Sequence, residues 1–369
     1  MPFSAVDAIS PAFEHTKRQL LQPFRFGQWV RLAIVGLLAG ELGSGGFRMP
    51  NLSNFNIPRQ PGGTQHFLPP DFAGANPALI AALVVVIVVA ALVFGIVLMY
   101  VSSVMRFILF DSVLARECHI RQGWYRRQEP GWRYFLWKLL YTVVTLGVLV
   151  VLVGIPAGLA FSAGWFSEPK QHLVGLVLAG VLLFFVFAIF VIVMAVIFVL
   201  TKDFVVPQMA LENIGAMEGW RRLWLMMQAE KISYAGYIGM KIALAMGAAI
   251  ILGIVGFILA LIIFIPAAGV AIAVVFAGKT AGLEWTAYTI TLAVVAGCIL
   301  LVAFLLLIAM ISVPVIIFFP AYSIYFFAAR YPALSAVLYP APPAPLIAPA
   351  AFSPPNEPPP LPPAPAPIG

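Results

Sequence analysis

The chain is dominated by long apolar intervals that show neither the alternation of a half-buried strand nor the one-sided stripe of a surface helix. No Asp, Glu, Lys or Arg occurs in Phe72–Met105, Leu139–Ser167, Gln171–Thr201, Ile242–Gly278 or Trp285–Ala329. A membrane helix needs about 20 apolar residues. These intervals predict spans at about 78–105, 138–161, 172–201, 234–263 and 285–313. A shorter run, WVRLAIVGLLAGEL (Trp29–Leu42), carries Arg31 and Glu41 near its ends. Long charged side chains can snorkel to the headgroups from such positions. This run is either a short tilted span or a re-entrant segment, and is read as a span over 28–42, with Glu41 reaching water at its outer end. The fold class is therefore all-α: six transmembrane helices in three hairpins, with amphipathic helices lying on the cytoplasmic face.

The connecting segments differ in kind. Residues 43–77 are rich in Gly, Pro and Asn and predict an irregular external loop. The short 162–171 segment predicts a tight hairpin between the third and fourth spans. Pro266 opens the run AAGVAIAVVF, too short to cross, which predicts a bent extension or an interfacial half-helix. The last 30 residues hold 14 prolines. Over 335–369 this composition predicts a cytoplasmic tail, extended or disordered.

Composition agrees. Of the 369 residues, 62% are apolar and 9% charged, against roughly 45–50% and 25% in a soluble domain. A soluble enzyme is excluded, and so is disorder through most of the chain. The net charge of +7 is read as loop bias rather than affinity for nucleic acid. With the N-terminus inside, 16 of the 21 Lys and Arg fall on inner segments, four on outer ones, and Lys241 within a span. Both termini are therefore placed in the cytoplasm. The N-terminal sequence has neither the pattern of a cleavable signal peptide nor that of a lipid anchor. Cys118 and Cys298 lie in dissimilar environments, and no disulfide is expected. His15, His66, His119 and His172 are scattered and are read as solvated or interfacial; no metal site or cofactor is expected.

Trp29, Trp124 and Trp220 recur at intervals of 95 and 96 residues in the phrases FGQWVRL, RQGWYRR and MEGWRRLW. They suggest a threefold repeat of a basic-aromatic interfacial element followed by a hairpin. Tryptophan and arginine both favour the headgroup layer. The candidate lipid- or partner-binding set is therefore Arg31, Arg121, Trp124, Arg126, Arg127, Trp220, Arg221, Arg222 and Lys241. Lys241 either snorkels to the inner interface, pairs with a carboxylate, or binds an anionic headgroup. Asp203, Glu212, Glu218 and Glu230 are expected to pair with neighbouring cations or stay solvated. Gly36/Gly40 and Gly154/Gly158 have the GxxxG spacing of close helix packing, read as packing within one chain. No GxSxG, HExxH or P-loop sits on a suitable element, and no enzymatic activity is expected.

The phrases DFVVPQMALENIGAMEGWRRLW (Asp203–Trp224), SVPVIIFFPAYSIYFFAARYPAL (Ser312–Leu334) and AISPAFEHTKRQLLQPFRFGQWVRLA near the N-terminus resemble a broad group of prokaryotic polytopic membrane proteins. That group includes the membrane domain of the glycerophosphoryl diester phosphodiesterase type. The resemblance covers about residues 6–334 and implies a prokaryotic inner-membrane protein. Its catalytic activity does not carry over, because no soluble barrel-sized block is present. The function expected is a non-enzymatic scaffold, anchor or accessory subunit whose basic-aromatic cytoplasmic face binds anionic lipid headgroups or a partner protein. The alternative is a transporter or flippase for a hydrophobic or lipid-like anion.

Overall fold

The computed structural model describes residues 4–41, 77–165, 172–280 and 287–340. The expected external loop and nearly all of the proline-rich tail lie outside the described residues. Among the described residues the regular structure is helical: α1 (Ile9–Leu21), α2 (Phe26–Leu38), α3 (Pro77–Ala115), α4 (Ile120–Ser162), α5 (Leu173–Leu200), α6 (Val206–Glu212), α7 (Ala216–Ala229), α8 (Lys231–Thr280), α9 (Ala287–Ile311), α10 (Val313–Ala328) and α11 (Pro332–Leu338). A π-helical turn, Thr201–Val205, joins α5 to α6.

Five helices are long and apolar enough to cross a membrane: α3, α4, α9, a segment combining α5, the π turn and α6, and α8. The count rises to six if α10 and α11, which meet at a bend of 118°, form one span. The sixth candidate is therefore not the one expected. The span expected over 28–42 falls on α2, whose 13 residues extend only about 20 Å, short of a hydrocarbon layer of about 30 Å. Two hydrogen bonds fix α2 alongside the last ten residues of α3, running the opposite way. Gln28 Nε2 donates to the Arg116 carbonyl at 2.7 Å, and Arg106 Nη2 donates to the Ala39 carbonyl at 2.9 Å. Glu41 thus lies level with Arg106, about 44 Å along α3 from Pro77, and is 2% exposed rather than reaching water. The run at Pro266 is an extension of the preceding helix rather than a separate half-helix, because α8 continues through that proline to Thr280.

The packed core is not among the spans. In the most apolar windows of α3, α4 and α5 no residue is buried within the chain. Their Leu, Val, Ile and Phe side chains face outward, as lipid-contacting surface must. The buried residues gather in a helical layer at one end. It is built from α1, α2, residues 104–113 of α3, the start of α4, the end of α5, the π turn, α6, α7, the start of α8, the end of α9, and α10 with α11. Its centre is aromatic. Phe204 packs against Tyr234, Tyr237, Phe326 and Phe327, and Tyr237 stacks on Tyr322 at 5.2 Å. Close approach is made possible at Gly131, where a Cβ would lie 2.7 Å from Val104, and at Gly36, where it would lie 2.6 Å from Ile316. Gly36 thus packs within the chain, but its GxxxG partner Gly40 lies beyond α2 with φ +79° and nothing within 4 Å of its Cβ position. Gly154 and Gly158 do not pack as Gly36 does: nothing from another helix lies within 4 Å of their Cβ positions.

Side chains of α1 and α2 also terminate α3. The last carbonyls of a helix lack partners in the helix itself. Gln19 Nε2 donates to the Ser112 carbonyl at 2.8 Å, and His15 Nε2 donates to the Val113 carbonyl at 2.9 Å. The other ring nitrogen of His15 accepts from the Tyr325 hydroxyl at 3.2 Å. His15 is 6% exposed and is a buried linchpin, not the solvated residue its scattered setting suggested.

Candidate functional site

Where the apolar runs of three long helices end, their charges converge. Arg106 of α3, Lys202 and Asp203 of the π turn and Lys241 of α8 meet Glu41 just beyond α2, and all five are at most 9% exposed. Glu41 accepts from both Arg106 and Lys202, and Asp203 accepts from Lys241. The Tyr237 hydroxyl donates to the same Asp203 oxygen at 2.9 Å. The π turn matters for this arrangement. Such turns are rare and concentrate at functional sites, and all five residues of this one are buried. It lets consecutive residues serve different partners, Lys202 toward α2 and Asp203 toward α8. A cavity of about 20 Å³ adjoins the cluster, lined by Arg106, Lys202, Asp203, Pro207, Pro320 and Ser323 among others. Lys138 of α4 lies nearby, with its amine 3.2 Å from Ser102 Oγ.

A second feature lies at the far end of the layer. Arg31, His119, Ile120, Arg121, Gln122 and Tyr125 line an open cleft of about 580 Å³. Among the described residues, no acidic side chain is in that lining. The nearest acid in sequence, Glu117, approaches Arg25 at 3.9 Å. Arg31 also reaches the Cys118 carbonyl, at 3.5 Å. The start of α4 lacks both a side-chain cap and an acidic residue in its first turn, so its free N–H groups add positive potential.

A profile of a family of unknown function, DUF7544, matches residues 3–337. The chain belongs to that family. No curated protein and no solved structure matches it. Nothing in these comparisons ties this family member to the glycerophosphoryl diester phosphodiesterase group, so the resemblance of the three phrases stops at the level of a helical membrane protein.

The structure divides the residues expected to bind lipid or a partner. Arg31 and Arg121 come together in the cleft, and Arg126 is exposed near it. The others have partners inside the chain. Arg127 is buried and grips Asp111 with two hydrogen bonds of 2.6 and 2.7 Å, while donating to the Ala210 carbonyl at 2.7 Å. Trp124 packs edge-on against Tyr100. Trp220 Nε1 donates to Thr201 Oγ1 at 2.9 Å, bracing the π turn. Arg221 pairs with Glu218, and Arg222 with Glu212 and Glu218. Lys241 neither snorkels nor faces lipid, because Asp203 holds it inside. The three tryptophan phrases occupy three different settings: within the short α2, at the start of the spanning α4, and on the separate α7.

Sequence reasoning missed Glu41, Arg106 and Lys202 as members of one site. Their presence at the edges of apolar runs was the only signal, and it said nothing about which would meet. Cys118 is buried, and burial pushes its thiol pKa up. Among the described residues, no group of three His, Cys, Asp or Glu side chains is placed to hold a metal ion.

Proposed function

We propose that the chain is a non-enzymatic anchor of a prokaryotic cytoplasmic membrane, with both termini in the cytoplasm, whose helical layer docks an acidic soluble partner protein in the Arg31–Arg121 cleft. The observation that carries this reading is the cleft's depth. Arg121 precedes Lys138 by 17 residues, about 26 Å along α4. A headgroup layer adds only about 5–8 Å beyond the hydrocarbon on each side. This offset supports a cleft that faces water beyond the lipid surface. Headgroups would instead meet the level of Trp132, which is 51% exposed and lies six residues before Lys138.

The scaffold reading is also supported by how the intramembrane-edge charges are used. The carboxylates of the cluster are consumed by its cations, and the adjoining cavity of about 20 Å³ is too small for a lipid headgroup. The transporter or flippase alternative draws its support from the burial of Arg106 and Lys241 at the ends of spans, where ionisable groups often mark transport paths.

The test is binding of a fluorescent Glu-rich peptide to the full-length protein in nanodiscs made from neutral or from anionic lipid. The anchor reading expects binding in both lipids, weakening with salt. It expects a several-fold loss in an Arg31→Ser/Arg121→Ser double variant, with Arg126→Ser close to wild type. Absence of peptide binding, or equal binding by the double variant, overturns it. Charge-dependent recruitment of anionic lipid by the same two arginines would move the site to the lipid class.

A further inference from the structure

Among the described residues, the buried cluster does not balance. Arg106, Lys202 and Lys241 contribute three positive charges, and Glu41 and Asp203 two negative ones. Other carboxylates of the layer are engaged elsewhere: Asp111 with Arg127, Glu129 with Arg133, Glu212 with Arg222, and Glu230 with Arg330. Lys138, close enough to feel Arg106, adds positive charge and has a serine hydroxyl for a neighbour. An uncompensated charge at this degree of burial costs several kcal/mol, and proteins resolve it by losing a proton or by taking up a counterion. Arg106 cannot deprotonate. Lys202 and Lys241 each donate to a carboxylate, and loss of either proton would weaken a charge-assisted bond.

The space for a counterion is present. The cavity of about 20 Å³ lies against both Arg106 and Lys202, and a cavity of roughly 10–15 Å³ suffices for one water-sized occupant. Its third charged wall, Asp203, is already offset by Lys241 and by the Tyr237 hydroxyl. The Ser323 hydroxyl, also in the lining, donates to the Pro320 carbonyl at 2.8 Å. A phosphate with its ester arms is too large for this volume, whereas a monatomic anion is not. We propose that this cavity is a halide site, in which a single chloride ion neutralises the excess charge of the Arg106–Lys202 cluster and fastens α3, α6, α10 and the π turn together. The proposal is independent of the partner-docking reading.

The experiment is equilibrium binding of radiolabelled chloride to the purified full-length protein in neutral detergent, with bromide and gluconate as competitors. One saturable site per chain is expected, displaced by bromide and not by gluconate, together with a higher midpoint of thermal unfolding in chloride than in gluconate. Ser323→Leu fills the cavity and keeps every charge; it should weaken chloride binding at least tenfold. Should that variant fail to fold, Lys202→Met gives the second test. It leaves two cations against two carboxylates, and it too should lose the saturable site. No saturable binding, equal displacement by gluconate, or undiminished chloride binding in a folded Lys202→Met protein would overturn the proposal, and would mean that the cluster sheds its excess charge as a proton.

Discussion

Replacing Asp203 by asparagine leaves Lys241 inside the layer without its carboxylate. The side chains of this pair are 11% and 3% exposed, so water offers little compensation. Removing one partner of a buried ion pair costs about 3–5 kcal/mol, mostly from the stranded charge rather than the lost attraction. Asp203→Asn and Lys241→Met should each fall in that range. The double variant strands neither group, and Tyr237 keeps an amide oxygen to donate to. It should therefore be far more stable than the sum of the single losses predicts, with a coupling energy of at least about 2 kcal/mol. Equilibrium unfolding in mixed micelles of rising sodium dodecyl sulfate fraction, followed by tryptophan fluorescence, measures all four proteins on one scale. A loss below about 1 kcal/mol for Asp203→Asn, the range of exposed pairs, would refute the reasoning, as would additivity of the two single changes. Either result would mean that the pair is solvated.

Further predictions concern the layer's packing and its titrating groups. Gly131→Ala would set a Cβ 2.7 Å from Val104 Cγ2 and 3.2 Å from its Cα. Overpacking of this kind costs about 1–3 kcal/mol, read from the same unfolding curves; an unchanged curve would count against the close α3–α4 approach. Burial holds the His15 ring below its ordinary value of 6.5. The stability this histidine contributes is complete above pH 6.5 and is lost as the pH falls from there through the lowered folded value. Thermal unfolding should therefore show a drop on acidification that His15→Gln flattens; an identical pH profile in that variant would dismiss the buried ring as its source. Cys118 is buried with a raised thiol pKa, so a water-soluble maleimide at neutral pH should leave it unmodified in the native protein and label it after denaturation. Rapid labelling of the native chain would contradict the burial of Cys118 in the layer.

The spans were legible in the sequence because hydrocarbon imposes a simple rule. A chain in lipid must be helical and nearly free of charge for about 20 residues, and the five charge-free intervals correspond to α3, α4, α5, α8 and α9–α10. The same rule misled at α2. Apolar content reports that a segment avoids water, not what shelters it, and here α3, α9 and α10 pack against it. Glu41 was misplaced with it, because its depth was inferred from a crossing that a 13-residue helix is too short to make. The charge cluster was invisible for another reason. Glu41 and Lys202 are 161 residues apart, and two charges at the edges of separate apolar runs have no local signature of their meeting. Arg127 and Trp220 were chosen for their residue types, which suit a headgroup layer as well as a buried bidentate clamp or a braced turn. Arg31 and Arg121 were found by the same reasoning and do share a cleft.

The docking of α1 on α10 has a consequence for synthesis. His15 meets Tyr325 across a separation of 310 residues, and Tyr322 donates its hydroxyl to the Ala5 carbonyl at 3.0 Å. Chains are made at about 5–20 residues per second, so α1 leaves the ribosome some 15–60 s before its partner helix exists. Throughout that interval Ala8, Ala12 and Leu20, fully packed in the finished protein, have no native surface to cover them. The helical layer can thus close only once α10 has been made, and until then the apolar face of α1 waits without its native cover.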